Sequence, residues 1–375
     1  MSRIIVDSLR GNSASSDAIS LANDGTCTAN ITNNLSNRNF LINGGCAIDQ
    51  RNGGSSVTTG FAIDRTQIEG FDGGGTGTGQ QVTDSPSGFT HSLKITVTGT
   101  DTSLASTDFY TLRQIVEGYN IAHLGFGASG GTSVTLSFFV KSSLTGNFSC
   151  SLGNGDNNRS YPIMYTINTA DTWEKKTMTF PADTTGTWGT GNGRGILVRW
   201  SLGAGSGRLG TANQWNGSQA HGATGTTNLF ATNAATFQIT GLQLEAGSVA
   251  TDFEHRSFAQ ELALCQRYCY VWKSSTAYSN MGTGVQTDSS NVDITFTLPQ
   301  IMRASPSFSS SGSFRTVGYD SGSQTAQALS ALAVNRSHPH TPYLRGSISG
   351  GTGGAVGELG DNGSNDATGI FSAEL

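Results

Sequence analysis

Charge is what this sequence has least of. Only 13% of its 375 residues are Asp, Glu, Lys or Arg, and 26 acidic residues against 21 basic ones leave a formal net charge of −5. Disorder needs high net charge with low hydrophobicity. Here 35% of residues are hydrophobic, so a folded chain is expected. No run of Lys or Arg offers a footprint for phosphates, which argues against a nucleic-acid partner. No stretch reaches the roughly 20 apolar residues of a membrane span, which argues against insertion. The start, MSRIIVDSLRGN, has no h-region of a signal peptide, so synthesis in a cytoplasm is expected. Proline is scarce at 7 residues. The five cysteines, Cys27, Cys46, Cys150, Cys265 and Cys269, are odd in number and widely spaced. That excludes a disulfide scaffold and reads as free, buried thiols.

What the sequence has in quantity is glycine, 51 residues without a G-X-Y period, between short alternating runs. Collagen is thereby excluded, and a mainly β fold with many turns is predicted. In SVTLSFFVKS, Val134, Leu136, Phe138 and Val140 share one face. In SLKITVTG, Leu93, Ile95 and Val97 do the same. Such alternation belongs to antiparallel sheets with one buried face. About eight strands between residues 38 and 254 predict an antiparallel β-sandwich of jelly-roll type. In TFQITGLQLEAG, Phe237 and Ile239 are out of phase with Leu242 and Leu244, so Gly241 is predicted to form a register-resetting bulge.

Three further segments stand apart. Residues 1–37 carry a hairpin signal at Asn23-Asp24-Gly25 but too little apolar surface for a core of their own. SFAQELALCQRYCY is the one plain helix. Ser257 is its predicted cap, with Gln260 completing a capping box. Phe258, Leu262, Cys265 and Cys269 form its apolar stripe. After Val271, β-like runs return to the final TGIFSAEL, predicting a second, small β-domain within 255–375 that the helix joins to the sandwich.

Several motifs invite chemistry and fail on context. Gly127-Ala128-Ser129-Gly130-Gly131 fits G-x-S-x-G, but a strand follows it where a nucleophile elbow needs a helix. GGGTGTGQ at 73–80 lacks the Lys-Ser/Thr of a phosphate loop and reads as a linker. Cys265 and Cys269 have only His255 as a third ligand candidate, so core packing is the simpler reading. His338-Pro339-His340 reads as a surface loop, and Asp156 as a turn. No carboxylate pair can be assigned the two roles of glycan hydrolysis. No catalytic residue, metal or cofactor is therefore predicted.

The tryptophans of two glycine-rich loops are different. Trp188 lies in 182–194. Trp215 lies in 203–229, with Arg208, Asn216 and His221. Sugars stack their C–H faces on aromatic rings while Asn, Arg and His meet the hydroxyls. These five residues are the glycan-binding candidates. The competing reading is that each tryptophan pins its own loop onto the sandwich.

ITGLQLEAGSVATDFEHRSFAQELALCQRYCYVW resembles a signature of bacteriophage tail fibres and related virion proteins, especially of marine phages: QLE-x-G, then AT-x-F, then EL-x-x-CQRY. MRASPSF and the closing SAEL resemble that family's C-terminal domain. FYTLRQIVEG, VTLSFFVKSSLTGNFSCSL and TWEKKTMTFP resemble its carbohydrate-binding-module-like sandwich, and MSRIIVDSLRGNSASSDAISLANDGT its N-terminal start. AIDRTQ at 62–67 departs from it, since relatives often carry a tryptophan after the Asp-Arg pair. The resemblance implies a homotrimeric, non-enzymatic tail fibre. Residues 1–37 would anchor it to other virion proteins, and a distal part would bind a host-surface polysaccharide. A head-fibre or decoration protein without receptor binding, and a glycan-depolymerising tailspike, are the alternatives.

Overall fold

The computed structural model describes residues 6–10, 12, 19–21, 27–29, 37–70, 74–320 and 323–375. Near the N-terminus, β1 (Ser8–Leu9), β2 (Ile19–Leu21) and β3 (Cys27–Ala29) form a small antiparallel sheet. The β2–β3 pair brackets the predicted Asn23-Asp24-Gly25 turn, which lies outside the described residues.

The next strands are β4 (Gly60–Ile63), β5 (Thr66–Glu69), β6 (Thr76–Val82), β7 (Ser92–Gly99) and β8 (Phe109–Glu117). A short helix, α1 (Gly118–Ile121), leads to β9 (Val134–Ser142), β10 (Gly146–Asn154), β11 (Ser160–Ile167) and β12 (Glu174–Phe180). Then come β13 (Arg194–Ala204), the two-residue β14 (Leu209–Gly210) and β15 (Gly222–Ala223), and β16 (Thr236–Ala246). Two antiparallel sheets result, in the orders β11-β10-β13-β8-β5-β4 and β12-β9-β16-β7-β6. Their inner faces share one core, since the same alternation runs along both. Leu93, Ile95, Leu136 and Phe138 of one sheet and Phe148, Leu152, Val198 and Trp200 of the other are fully buried in it. The predicted mainly β, antiparallel sandwich is the architecture found.

Two local expectations meet different outcomes. Gly241 takes φ +64°, and the β16–β9 register shifts between Thr240 and Gln243. Phe237, Ile239, Leu242 and Leu244 all enter the core, as a bulge allows. Residues 76–80, by contrast, are no linker. They belong to edge strand β6, where Gly79 lets β6 approach Ile68 and Ala62, whose side chains a Cβ would meet at 2.6 and 2.9 Å.

Helix α2 (Phe258–Gln266) is capped as predicted, the Ser257 hydroxyl accepting from the Gln260 amide at 3.3 Å. It is shorter than the stripe implied. Cys269 opens β17 (Cys269–Lys273), whose ladder with the chain's last strand takes over the backbone there. Cys265 is buried with Ile42, Ile48 and Tyr268, and the partly buried Leu262, Leu264 and Leu375 pack against them. Phe258 points outward, 66% exposed. Cys46, Cys150, Cys265 and Cys269 are free and buried.

The C-terminal part continues with β18 (Asn280–Gln286), β19 (Asn291–Thr295), β20 (Ser307–Ser311), β21 (Phe314–Asp320) and β22 (Ser323–Ala328). It ends with β23 (Ala331–Arg336), β24 (Tyr343–Ser347), β25 (Val356–Asp361) and β26 (Thr368–Ser372). Seven of these strands form the sheet β22-β21-β25-β18-β19-β24-β23, and β26 lies between β17 and β20 in another. Val292, Ile294, Leu344, Leu359 and Phe371 fill a core separate from that of the sandwich.

The stretch from Gln243 to Tyr268 builds the joint between the two parts. Glu245 accepts from the Thr251 amide at 2.8 Å and hydroxyl at 2.7 Å, and Gln243 accepts from the Glu254 amide at 2.8 Å. The loop before α2 is thereby fixed. The Glu254 carboxylate accepts from the Asn39 amide at 2.9 Å. Arg267 forks onto Glu117 at 3.0 and 2.6 Å, and the Tyr268 hydroxyl donates to the same carboxylate at 2.7 Å. Arg65, on the β4–β5 turn, lies over the Tyr268 ring at 3.6 Å and pairs with Glu374. Arg303 donates to the carbonyls of Ala373 and Glu374 at 2.6 and 2.7 Å.

Candidate functional site

The tryptophan loops bring the five predicted residues to two places. Trp188 is buried, its ring edge-on to Phe126 at 4.7 Å and to Trp215 at 5.5 Å. Trp215 is half-buried against Tyr161 at 5.2 Å. Arg159, paired with Asp183 at 2.6 and 2.8 Å, stands over Trp215 at 5.8 Å. Asn216 donates to the carbonyls of Gln214 and Thr211 at 2.9 and 3.1 Å, and its backbone bridges to Ser160. This group anchors the two loops to the sandwich, with Trp188 buried in its core and Trp215 packed against it. The pinning reading describes it.

Arg208 and His221 go elsewhere, onto the outer face of the six-stranded sheet. Arg208 lies over the Phe109 ring at 5.4 Å and His221 stacks obliquely on it at 4.0 Å. The loop's return strand presses Gly222 onto this face. A Cβ there would meet the Ser149 and Ser201 hydroxyls at 2.6 and 2.7 Å, so only glycine lets the backbone come so close.

Beneath the loop the strand registers align the outward side chains in two rows. Arg199 stands opposite Ser151 on one side and Arg113 on the other, and Arg113 opposite Gln67. The neighbouring row runs Ser149, Ser201, Thr111, Glu69. Period-2 geometry forces this, since Val198, Trp200 and Leu112 occupy the core side of the same strands. Two arginines directly opposed repel one another. Glu69 sits between them, accepting from Arg113 Nη1 at 2.5 Å and Arg199 Nε at 3.3 Å. Gln67 takes the other arm of Arg113 at 2.5 Å, and Asn157 takes Arg199 Nη2 at 2.8 Å.

The face is not saturated. Both ring nitrogens of His221, the Ser151 and Ser201 hydroxyls and Arg113 Nε are buried with no partner among the described residues. Burial, then the positive charges of Arg199, Arg208 and Arg113, push the His221 pKa down to about 2. Gln67, Glu69, Phe109 and Arg208 are half-exposed, so the cluster reaches solvent along one edge. Glu69, Gln67, Arg113 and Arg199 were not among the predicted residues. The available signal was an arginine at a polar position of an otherwise apolar strand, in GILVRWSLG and in FYTLRQIVEG.

Other motifs take ordinary places. Ser129 is exposed in a loop before β9, Asp156 in the turn after β10. His338 Nδ1 accepts from the amides of His340 and Thr341 at 3.2 and 3.1 Å, closing a turn. Among the described residues no group of three or more His, Cys, Asp or Glu could hold a metal, and no helix is long and apolar enough to cross a membrane.

No protein-family model matches the chain, and no curated protein matches it. Solved structures show distant likeness. The enzymatically active domain of bacteriophage CBA120 tailspike protein 4 is 12% identical at TM-score 0.29, over 56% of this chain and 21% of that one. TmCBM61 in complex with beta-1,4-galactotriose is 11% identical at TM-score 0.28, over 56% of this chain and 99% of that one. A putative sugar binding protein from Bacteroides thetaiotaomicron is 12% identical at TM-score 0.31, over 56% of this chain and all of that one. Likeness at this level carries no information on a ligand.

Proposed function

We propose that this chain is a bacteriophage virion protein, a homotrimeric tail fibre that attaches the particle to a host-surface glycan without cleaving it. The observation that carries the reading is the unsaturated polar face of the six-stranded sheet. Hydroxyls, guanidiniums, one carboxylate and an aromatic ring are set there by strand register. Convergent polar groups beside an aromatic surface are what sugar recognition needs. The phage assignment rests on the resemblance of the QLEAG-to-CQRY segment. Its residues hold the joint between the two β-parts, a role suited to a rod that must keep its tip oriented. Residues 1–37 attach to other virion proteins. Hydrolysis would require two carboxyl groups in separate roles. Glu69 is the carboxylate in the two rows and is engaged by both arginines, which favours holding a glycan over cutting it.

The test is retention of the purified protein on surface polysaccharide from candidate hosts, with assay for released reducing ends and light scattering for mass. Retention without product, at three times the 39.0 kDa chain mass, is expected. Product release makes it a depolymerase. A monomer that retains no host polysaccharide overturns the fibre reading and leaves a decoration protein.

A further inference from the structure

The polar face is lopsided in charge. The chain as a whole carries −5, yet the charged groups acting on His221 are Arg199, Arg208 and Arg113, all positive. Against these three guanidiniums the two rows hold one carboxylate, Glu69. Arg194, at the start of β13, is exposed and adds to the same field on Arg113 and Arg199. Asp108, beside Phe109 on the chain, has its carboxylate accepting from the Ala105 amide at 2.8 Å.

Opposed like charges on neighbouring strands are destabilising, and one carboxylate between two arginines neutralises half of them. A positive field kept at a fold's expense, beside hydroxyls and an imidazole with unspent hydrogen bonds, is the complement of an oxyanion. An oxyanion brings two or three strong acceptor oxygens and the missing negative charge at once.

Resting on the glycan-binding reading above, we infer that the glycan taken by this face is acidic: a carboxylate, phosphate or sulfate ester on the sugar is held by Arg208 at the half-exposed edge, in the positive field of Arg113 and Arg199 buried beneath it. The sugar ring then lies along the half-exposed edge of Phe109, Gln67 and Glu69. Discrimination between acidic and neutral forms of one polymer follows from the field.

The experiment uses the full chain against matched polymer pairs. Polygalacturonate is set beside its methyl ester, phosphomannan beside mannan, dextran sulfate beside dextran. Host polysaccharide is used before and after carbodiimide reduction of its carboxyls. The acidic member is expected to bind at least about 10-fold more tightly, as charge-assisted bonds require. Binding should weaken as salt rises from about 0.05 to about 0.5 M. R208Q, at the solvent edge, should weaken it about 10-fold with the melting temperature unchanged. R199Q is buried and serves only if it folds. The identity of the tightest pair tells carboxylate from phosphate and sulfate. Equal binding of neutral and acidic members overturns the acidity while the glycan-binding reading stands. Acidic binding indifferent to R208Q overturns this face as its seat. No binding to any polymer, host polysaccharide included, sinks both.

Discussion

His221 shows at the scale of one residue how far sequence reaches. A histidine in a glycine-rich loop beside a tryptophan suggests contact with a ligand, and the ring does lie on the polar face. Its neighbours are another matter. Arg113 and Arg199 are far apart in sequence and meet because β8 and β13 pair in one register, which no local pattern encodes. Buried and surrounded by guanidiniums, the imidazole stays neutral, with its pKa pushed down to about 2. The unfolded chain takes up that proton near the ordinary value of 6.5. Between about pH 6.5 and 2 the unfolded state thus binds more protons, and stability falls as pH falls. His221→Gln removes this titration. The stability difference between parent and variant should change by about 1.4 kcal/mol for each pH unit below 6.5, in the variant's favour. Urea unfolding at pH 7, 6 and 5 checks it. Parallel curves for the two proteins would mean that the ring is protonated in the fold.

At the scale of elements, periodicity was a good guide wherever a strand has one buried face, and it failed where a competing partner decides. The bulge at Gly241 could be read from a phase slip between Ile239 and Leu242. The glycines of 74–79 carry no side-chain pattern, so nothing local announced edge strand β6. The four-three-four stripe of α2 implied one continuous apolar face, but its last member, Cys269, pairs with Ser372 in a sheet. Spacing alone does not reveal that ladder. Gly241 offers the sharper test. It has φ +64°, and an added Cβ would lie 2.8 Å from the Phe89 ring and 3.0 Å from that of Phe139. Gly241→Ala should cost about 1–3 kcal/mol through backbone strain and displacement of those rings. Gly54, with φ +83° and nothing within 4 Å, isolates the backbone contribution, so Gly54→Ala should cost less. Equal losses in thermal melts of the two variants would show that the Phe89–Phe139 contact gives way without cost.

For the whole molecule, composition and pattern suggest a division into 1–37, 38–254 and 255–375, and the structure has two separate apolar cores, one before helix α2 and one after it. What holds them together was not legible, since its members come from six separate stretches: 39–48, 64–65, 117, 261–268, 303 and the closing Ala373-Glu374. Glu117 is the hub. Burial would raise its pKa, yet hydrogen bonds from Arg267 and Tyr268, with Arg267's charge, hold it below the usual carboxylate value. The carboxylate is therefore ionised and satisfied at neutral pH. Removing it leaves the buried Tyr268 hydroxyl unpaired while Arg267, 35% exposed, can turn to water, so the cost is about 1–3 kcal/mol. The loss falls on the joint, because the core of each β-part contains none of these groups. Glu117→Leu should therefore open the chain to protease between about residues 255 and 275 and release an intact sandwich, with the sandwich's own melting transition retained. Ser257→Ala, which removes only the α2 cap, should cost about 1 kcal/mol and leave the joint closed. If Glu117→Leu resists protease as the parent does, the apolar contacts of Cys265, Ile42 and Ile48 alone keep the two parts aligned, and the ionic hub sets their orientation without holding them.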